Sequence, residues 1–198
     1  TWTNIAAISP FSNPNTATLT ITNAQYFLNG SQYRCVISGT CSPSVTSNVA
    51  SLTVNQLPYI NTHPSEAVTC AGSNASMTVA AVGTGLSYQW EVNTGSGFTA
   101  ITNNATYSGA TTATLTMSSV PATMNGYRYH CIVSGICSPA AVSTTQMLHV
   151  NTPPTITTQP SDKVVCAGGV TQFTIGVGGQ AYPSYTYQWQ VDDGSGYV

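Results

Sequence analysis

The chain has 198 residues, of which 41% are hydrophobic and only 4% charged, with a net charge of −2. That balance gives no field to steer nucleic acid, anionic lipid or a charged substrate, and no run approaches the roughly 18 apolar residues of a membrane span. Six cysteines at repeated spacings fit an oxidising extracellular compartment better than a cytosolic one.

From the N-terminus, residues 1–55 reappear 96 positions later without gaps. Leu19 falls on Leu115, Gly30 on Gly126, Tyr33 on Tyr129 and Cys35 on Cys131. Gly39-Thr40-Cys41-Ser42-Pro43 falls on Gly135-Ile136-Cys137-Ser138-Pro139. Further on, Cys70-Ala71-Gly72 falls on Cys166-Ala167-Gly168. The shift then grows to 99, so that Tyr88-Gln89-Trp90 meets Tyr187-Gln188-Trp189 after a three-residue insertion near 180–185. A period of this size is that of an autonomous domain, not of a solenoid repeat. The expected organisation is therefore the later part of one module (1–55), a complete module (56–151) and the first part of a third (152–198). The linkers Asn55-Gln56-Leu57-Pro58 and Asn151-Thr152-Pro153-Pro154 are short and carry proline, which favours a semi-rigid rod.

Within 56–151 helical signals are absent, and Gly/Pro/Asn/Ser clusters recur about every 8–12 residues, as in all-β sandwiches. Period-two alternation predicts about seven strands: 66–70, 74–82, 86–93, 97–101, 112–118, 126–134 and 140–150. Gly95-Ser96-Gly97 makes the hairpin turn between the third and fourth. By alternation Trp90 and Tyr129 face the core, and so does Trp189 by repeat equivalence. Thr, Ser, Asn and Gly fill the polar positions, so the outside is neutral and cheap to bury in an assembly.

A Trp on the third strand (Trp90, Trp189) followed by Tyr-x-Cys on the sixth (Tyr129-His130-Cys131, Tyr33-Arg34-Cys35) resembles the immunoglobulin fold. The phrases Val68-Thr69-Cys70-Ala71-Gly72, Tyr88-Gln89-Trp90, Asn125-Gly126-Tyr127-Arg128-Tyr129 and Cys131-Ile132-Val133-Ser134-Gly135 narrow the likeness. They resemble the Ig-like repeats of very large surface proteins exported by the type IX system of gliding Bacteroidota. The resemblance implies tandem immunoglobulin-like β-sandwich modules and attachment to surfaces, cells or prey. It also implies a departure. Where an animal Ig domain has its second-strand cysteine, this chain has Val79, so Cys131 is expected to face Val79 and Trp90 with no inter-sheet disulfide.

Cysteines come three to a module (Cys70, Cys131, Cys137), with Cys35, Cys41 and Cys166 as the equivalents. Cys131 and Cys137, or Cys35 and Cys41, are expected to close small loops. Alternatively, a Cys70-type residue bonds the Cys137-type residue of the next stacked module, or the thiols stay free. A C-x5-C spacing is not a usual zinc pattern, and no metal or cofactor is expected. His63, His130 and His149 are scattered singly, and Glu66 and Glu91 stand alone without an acid–base partner. Asp192-Asp193-Gly194 reads as a hairpin turn, since two carboxylates fall short of a calcium cage. Asn29-Gly30-Ser31, Asn74-Ala75-Ser76 and Asn104-Ala105-Thr106 match the glycan acceptor pattern, which arises often by chance.

One loop differs between copies. Tyr182, Pro183 and Tyr185 lie in the insertion and form an apolar loop that either contacts a neighbouring module or chain or packs as an ordinary loop. With no nucleophile elbow, Cys/His catalytic context or phosphate loop, the segment is not expected to be an enzyme. The leading expectation is a structural or adhesive segment of a cell-surface protein that assembles with copies of itself into a fibre. Its partners would be neighbouring modules and cell-surface glycan or protein targets. The alternatives are a carbohydrate-binding sandwich and a spacer for an unseen catalytic domain.

Overall fold

The computed structural model describes residues 1–194. Almost all regular structure is β, arranged as a well-packed central sandwich flanked by two sparser regions. The N-terminal region has six two-residue strands: β1 (Phe11–Ser12), β2 (Thr20–Ile21), β3 (Gln32–Tyr33), β4 (Val36–Ile37), β5 (Val45–Thr46) and β6 (Ala50–Ser51). The central strands are β7 (Tyr59–Thr62), β8 (Ala67–Cys70), β9 (Ala75–Thr78), β10 (Ala80–Val82), β11 (Ser87–Asn93), β12 (Phe98–Ala100), β13 (Tyr107–Ser108), β14 (Thr114–Met117), β15 (Arg128–Ser134), β16 (Ala141–Val142) and β17 (Gln146–Asn151). Two more, β18 (Thr155–Thr158) and β19 (Gly176–Gly178), pair in the C-terminal region.

The larger sheet runs β12-β11-β15-β17-β8, with β16 also on β15. The facing sheet is β13-β14-β9, and β10 pairs with β7 beside it. All pairings are antiparallel except β17 with β8, which joins Leu148–Asn151 to Ala67–Cys70 in parallel. The period-two pattern explains the burial. Along β15, Tyr129, Cys131 and Val133 are buried while their neighbours are not. On β14 the same holds for Leu115 and Met117. Met77 and Val79 complete the facing layer, and Trp90, 0% exposed, stands opposite Cys131 in the β11–β15 register. Each such side chain contributes roughly 1.5–3 kcal/mol when fully buried.

Two expected strands are divided. The 74–82 run breaks at Val79, because β9 hydrogen-bonds to β14 whereas β10 moves across to β7. Likewise 140–150 becomes β16 and β17, with Ser143 between them, whose hydroxyl oxygen accepts the buried Cys131 N–H at 2.9 Å. Strand β7 was not anticipated. Pro58 and Pro64 bracket its four residues, and only Ile60 alternates inward. Gly109 sits at φ +75°, and a Cβ there would collide with the carbonyl oxygen of Thr114, so this turn needs glycine.

The repeat is visible in detail. Three-residue 3-10 turns occur at Tyr26–Leu28 and Ala122–Met124, small helical pieces that the β pattern did not foretell. Asn29 Oδ1 accepts the Val54 N–H at 2.9 Å, and Asn125 Oδ1 accepts that of Val150 at 2.8 Å. Ser47 Oγ accepts from Cys35 N–H at 2.9 Å, as Ser143 does from Cys131.

Candidate functional site

The core around Trp90 shows how the sequence markers are held. Its indole N–H donates to the Thr112 carbonyl at 3.0 Å, satisfying the one polar atom of a buried ring. Gln89 Nε2 donates to the carbonyls of Trp90 and Ile101, which ties β11 to the segment after β12. Tyr129 is fully buried, and its hydroxyl shares a 3.0 Å bond with that of Tyr107. Burial, then that shared bond, pushes the Tyr129 phenol well above its usual range. Burial likewise pushes the Cys131 thiol up to about 11. Cys131 lies in one cluster with Val79 and Trp90. These groups are proton-bound and inert, the opposite of an activated nucleophile.

Trp189 behaves differently from Trp90. It is 50% exposed, touching Phe173 at 6.4 Å between ring centroids. Its counterpart Trp90 is covered by pairing with Cys131 on β15, and among the described residues Trp189 has no such strand beside it. The turn at Asp192-Asp193-Gly194 is present, with Asp192 Oδ1 accepting the Gly194 N–H at 2.9 Å. The far arm of that hairpin lies outside the described residues.

All six cysteines are free thiols. The expected loops Cys35–Cys41 and Cys131–Cys137 are not closed. Cys131 points into the core, whereas Cys137 Sγ lies 3.7 Å from the Asn55 carbonyl, in the turn region after β15. Cys70 ends β8 beside Asn151, where the chain leaves the central sandwich, so Cys70 and Cys137 mark opposite ends of it. Cys35, Cys41 and Cys166 are exposed.

The histidines and glutamates are not solitary. His130 Nε2 is 2.8 Å from Glu91 Oε2, with Phe98 stacked on the imidazole at 3.9 Å. In the equivalent place of the N-terminal region, Arg34 lies 4.2 Å over the Trp2 ring. His63 Nδ1 accepts the Thr144 N–H at 3.0 Å. His149 and Glu66 meet at the far end, described below. Sequence reading missed these pairs because cross-strand neighbours carry no local spacing signal. The asparagines of the glycan-like triplets are turn pins: besides Asn29, Asn74 Oδ1 accepts from Ser119 N–H, and Asn104 Oδ1 from Thr106 and Tyr107 N–H.

The inserted loop is where two regions meet. Tyr182 N–H donates to Asn151 Oδ1 at 2.7 Å, and Asn151 Nδ2 donates back to the Tyr182 carbonyl at 3.3 Å. The Tyr182 ring stacks on His149 at 3.6 Å and 14°, and its hydroxyl donates to Glu66 Oε2 at 3.1 Å. Pro183 follows Tyr182, and Tyr185 Oη donates to the Gly178 carbonyl at 3.1 Å, folding the loop onto its own base. A Cβ at Gly179 would come within 2.7 Å of the Pro153 carbonyl, so loop and linker are tightly apposed. Beneath this lies a contact shared by both linkers. Gln56 N–H donates to Thr84 Oγ1 and Thr84 N–H to the Gln56 carbonyl, while at the second linker Thr152 N–H donates to the Gln180 carbonyl and Gln180 N–H to Thr152 Oγ1, the hydroxyl now on the linker side.

A depression of about 280 Å³ between the 93–95 turn and Asn125–Arg128 presents turn backbone and one guanidinium. Among the described residues no group of three His, Cys, Asp or Glu could hold a metal ion. No helix among them is long and apolar enough to cross a membrane.

Two solved structures can be set beside this arrangement. An I-band fragment of titin aligns with 98% of this chain and 66% of its own length, at 17% identity and a TM-score of 0.54. Extracellular domains 3–5 of Drosophila OTK align with 96% of this chain and 61% of their own, at 18% identity and a TM-score of 0.48. The fold is that of tandem immunoglobulin-like sandwiches. No family model and no curated protein matches the sequence. At these identities the likeness concerns fold alone.

Proposed function

We propose that the chain is a non-catalytic structural and adhesive segment of a large extracellular bacterial surface protein. Its modules, bounded at 1–55, 56–151 and 152–198, stack into a stiff stalk. Copies of the stalk assemble into a filamentous cell-surface appendage exported by a type IX system, which attaches to surfaces, other cells or prey. The observation that carries this reading is that a linker asparagine at each boundary is held by the following module, the Asn55 carbonyl by Cys137 Sγ and the Asn151 side chain by Tyr182. A linker hydrogen-bonded to the following module limits bending in a way that a free Gly/Ser tether does not. The neutral, hydroxyl-rich exterior supports lateral association, since few ions need desolvating. The partners are neighbouring modules in the same chain, further copies, and glycan or protein targets at the tip or side of the fibre.

Electron microscopy of the appendage purified from its source tests this. Regular multi-chain fibres decorated by antibody to residues 56–151 are the expected result. Isolated chains that bend freely between beads, or antibody confined to the cell interior, would overturn it.

A further inference from the structure

The two linkers share one hydrogen-bonded contact, but only the second carries an added aromatic layer. We propose that His149, Glu66 and Tyr182 form a proton-responsive clasp that stiffens the junction between the central sandwich and the C-terminal region when His149 becomes protonated. The observations are geometric. His149 Nε2 is buried, has no hydrogen-bond partner among the described residues, and lies 3.5 Å from Glu66 Oε2. That same oxygen already accepts the Tyr182 hydroxyl. The Tyr182 ring covers the imidazole face to face at 3.6 Å. A neutral imidazole offers Glu66 at most one uncharged N–H. An imidazolium gains a charge-assisted pairing with Glu66 and a cation–π contact with Tyr182.

The charged and titratable groups around the ring are few. Glu66 stands just before β8, Tyr182 comes from the inserted loop, and β15 puts Arg128 on this face opposite Met147. Arg128 opposes a second positive charge, whereas Glu66, the group nearest the imidazole, favours it. The other junction lacks the parts. In the repeat register Thr53 stands in place of His149, and the 83–86 loop lacks the three inserted residues that surround Tyr182. Histidine and insertion thus occur together at one junction and are absent together at the other. Histidine is the side chain whose charge changes between pH 5 and 8, so mild acidification is the natural trigger.

The test is amide hydrogen exchange by NMR on the 198-residue chain, corrected for intrinsic rates, from pH 8 down to 5.5. That window stays above the ordinary carboxylate range. Protection of the Tyr182 and Gln180 amides should rise roughly two- to fivefold as the pH falls, the size expected of a partly exposed ion pair. Core amides such as Leu148 report on overall folding and should not follow. In His149→Gln the pH response disappears. In Tyr182→Phe, which keeps the stack and removes the hydroxyl, protection falls at every pH but the response remains. A Tyr182 amide indifferent to pH in the native chain, or a response surviving in His149→Gln, would overturn the clasp. Neither result bears on whether the stalk forms fibres, which the microscopy decides.

Discussion

Residues 56–151 and the flanking regions carry the same strand patterns and bury them to very different degrees. Trp90 is 0% exposed and Trp189 50%; Val133 is 0% exposed and its equivalent Ile37 63%. Cys131 is buried and Cys35 exposed. Local hydrogen bonds are nonetheless kept, as the Ser47 and Ser143 contacts show. Alternation therefore selects which face is apolar, while burial requires a second sheet to be present. In the central region both sheets are supplied by one continuous stretch. The flanks have only short strands, and none of their residues joins the core cluster.

Three experiments sharpen or break this contrast. The largest effect should come from Trp90→Ala, which removes the centre of the core and costs about 3–5 kcal/mol. Trp189→Ala should cost less than about 0.5 kcal/mol. Urea denaturation followed by tyrosine fluorescence reads both, and equal losses would mean that the C-terminal region has a core of its own. Next is Ser143→Ala, which strands the buried Cys131 N–H and should cost about 1–3 kcal/mol. Ser47→Ala makes the same change at an exposed site, and the urea midpoint should barely move. The smallest effect is alkaline. Folding raises the Cys131 thiol to about 11 and also raises Tyr107 and Tyr129, so the native state holds protons that the unfolded chain releases first. The stabilisation is complete below about pH 8 and is lost as pH climbs through the folded values. Between pH 8 and 10 the central sandwich should lose about 1 kcal/mol. A midpoint that rises would contradict the buried placement of these groups.

Much of the central sandwich was legible from its residues. Strands such as Ser87–Asn93 and Arg128–Ser134 announce themselves by strict alternation, and the Gly95-Ser96-Gly97 hairpin by its glycines. Asn93 Oδ1 secures that turn by accepting the Gly95 and Gly97 N–H groups. Strand β7 was hidden because four residues between prolines are too few to show a period. The break at Val79 was hidden because changing ladder leaves alternation intact. At the junction, the inserted loop stood out as unlike the other copy, and Tyr182 and Tyr185 with it. Its seat on His149 and Glu66 did not, since a contact between strands and a distant loop is made by topology. The cysteines misled for a related reason: short spacing along the chain said nothing of Cys131 pointing into the core and Cys137 lying against the Asn55 carbonyl.

The parallel pairing of β8 with β17 has a mechanical consequence. One strand begins the larger sheet and the other ends it, and they run side by side in the same direction over four residue pairs. Tension applied to the two termini drags these strands oppositely along their length. The rungs are then loaded in shear, all at once, and cannot be peeled one after another. The seam behaves like a lap joint that fails only when every rung gives way together.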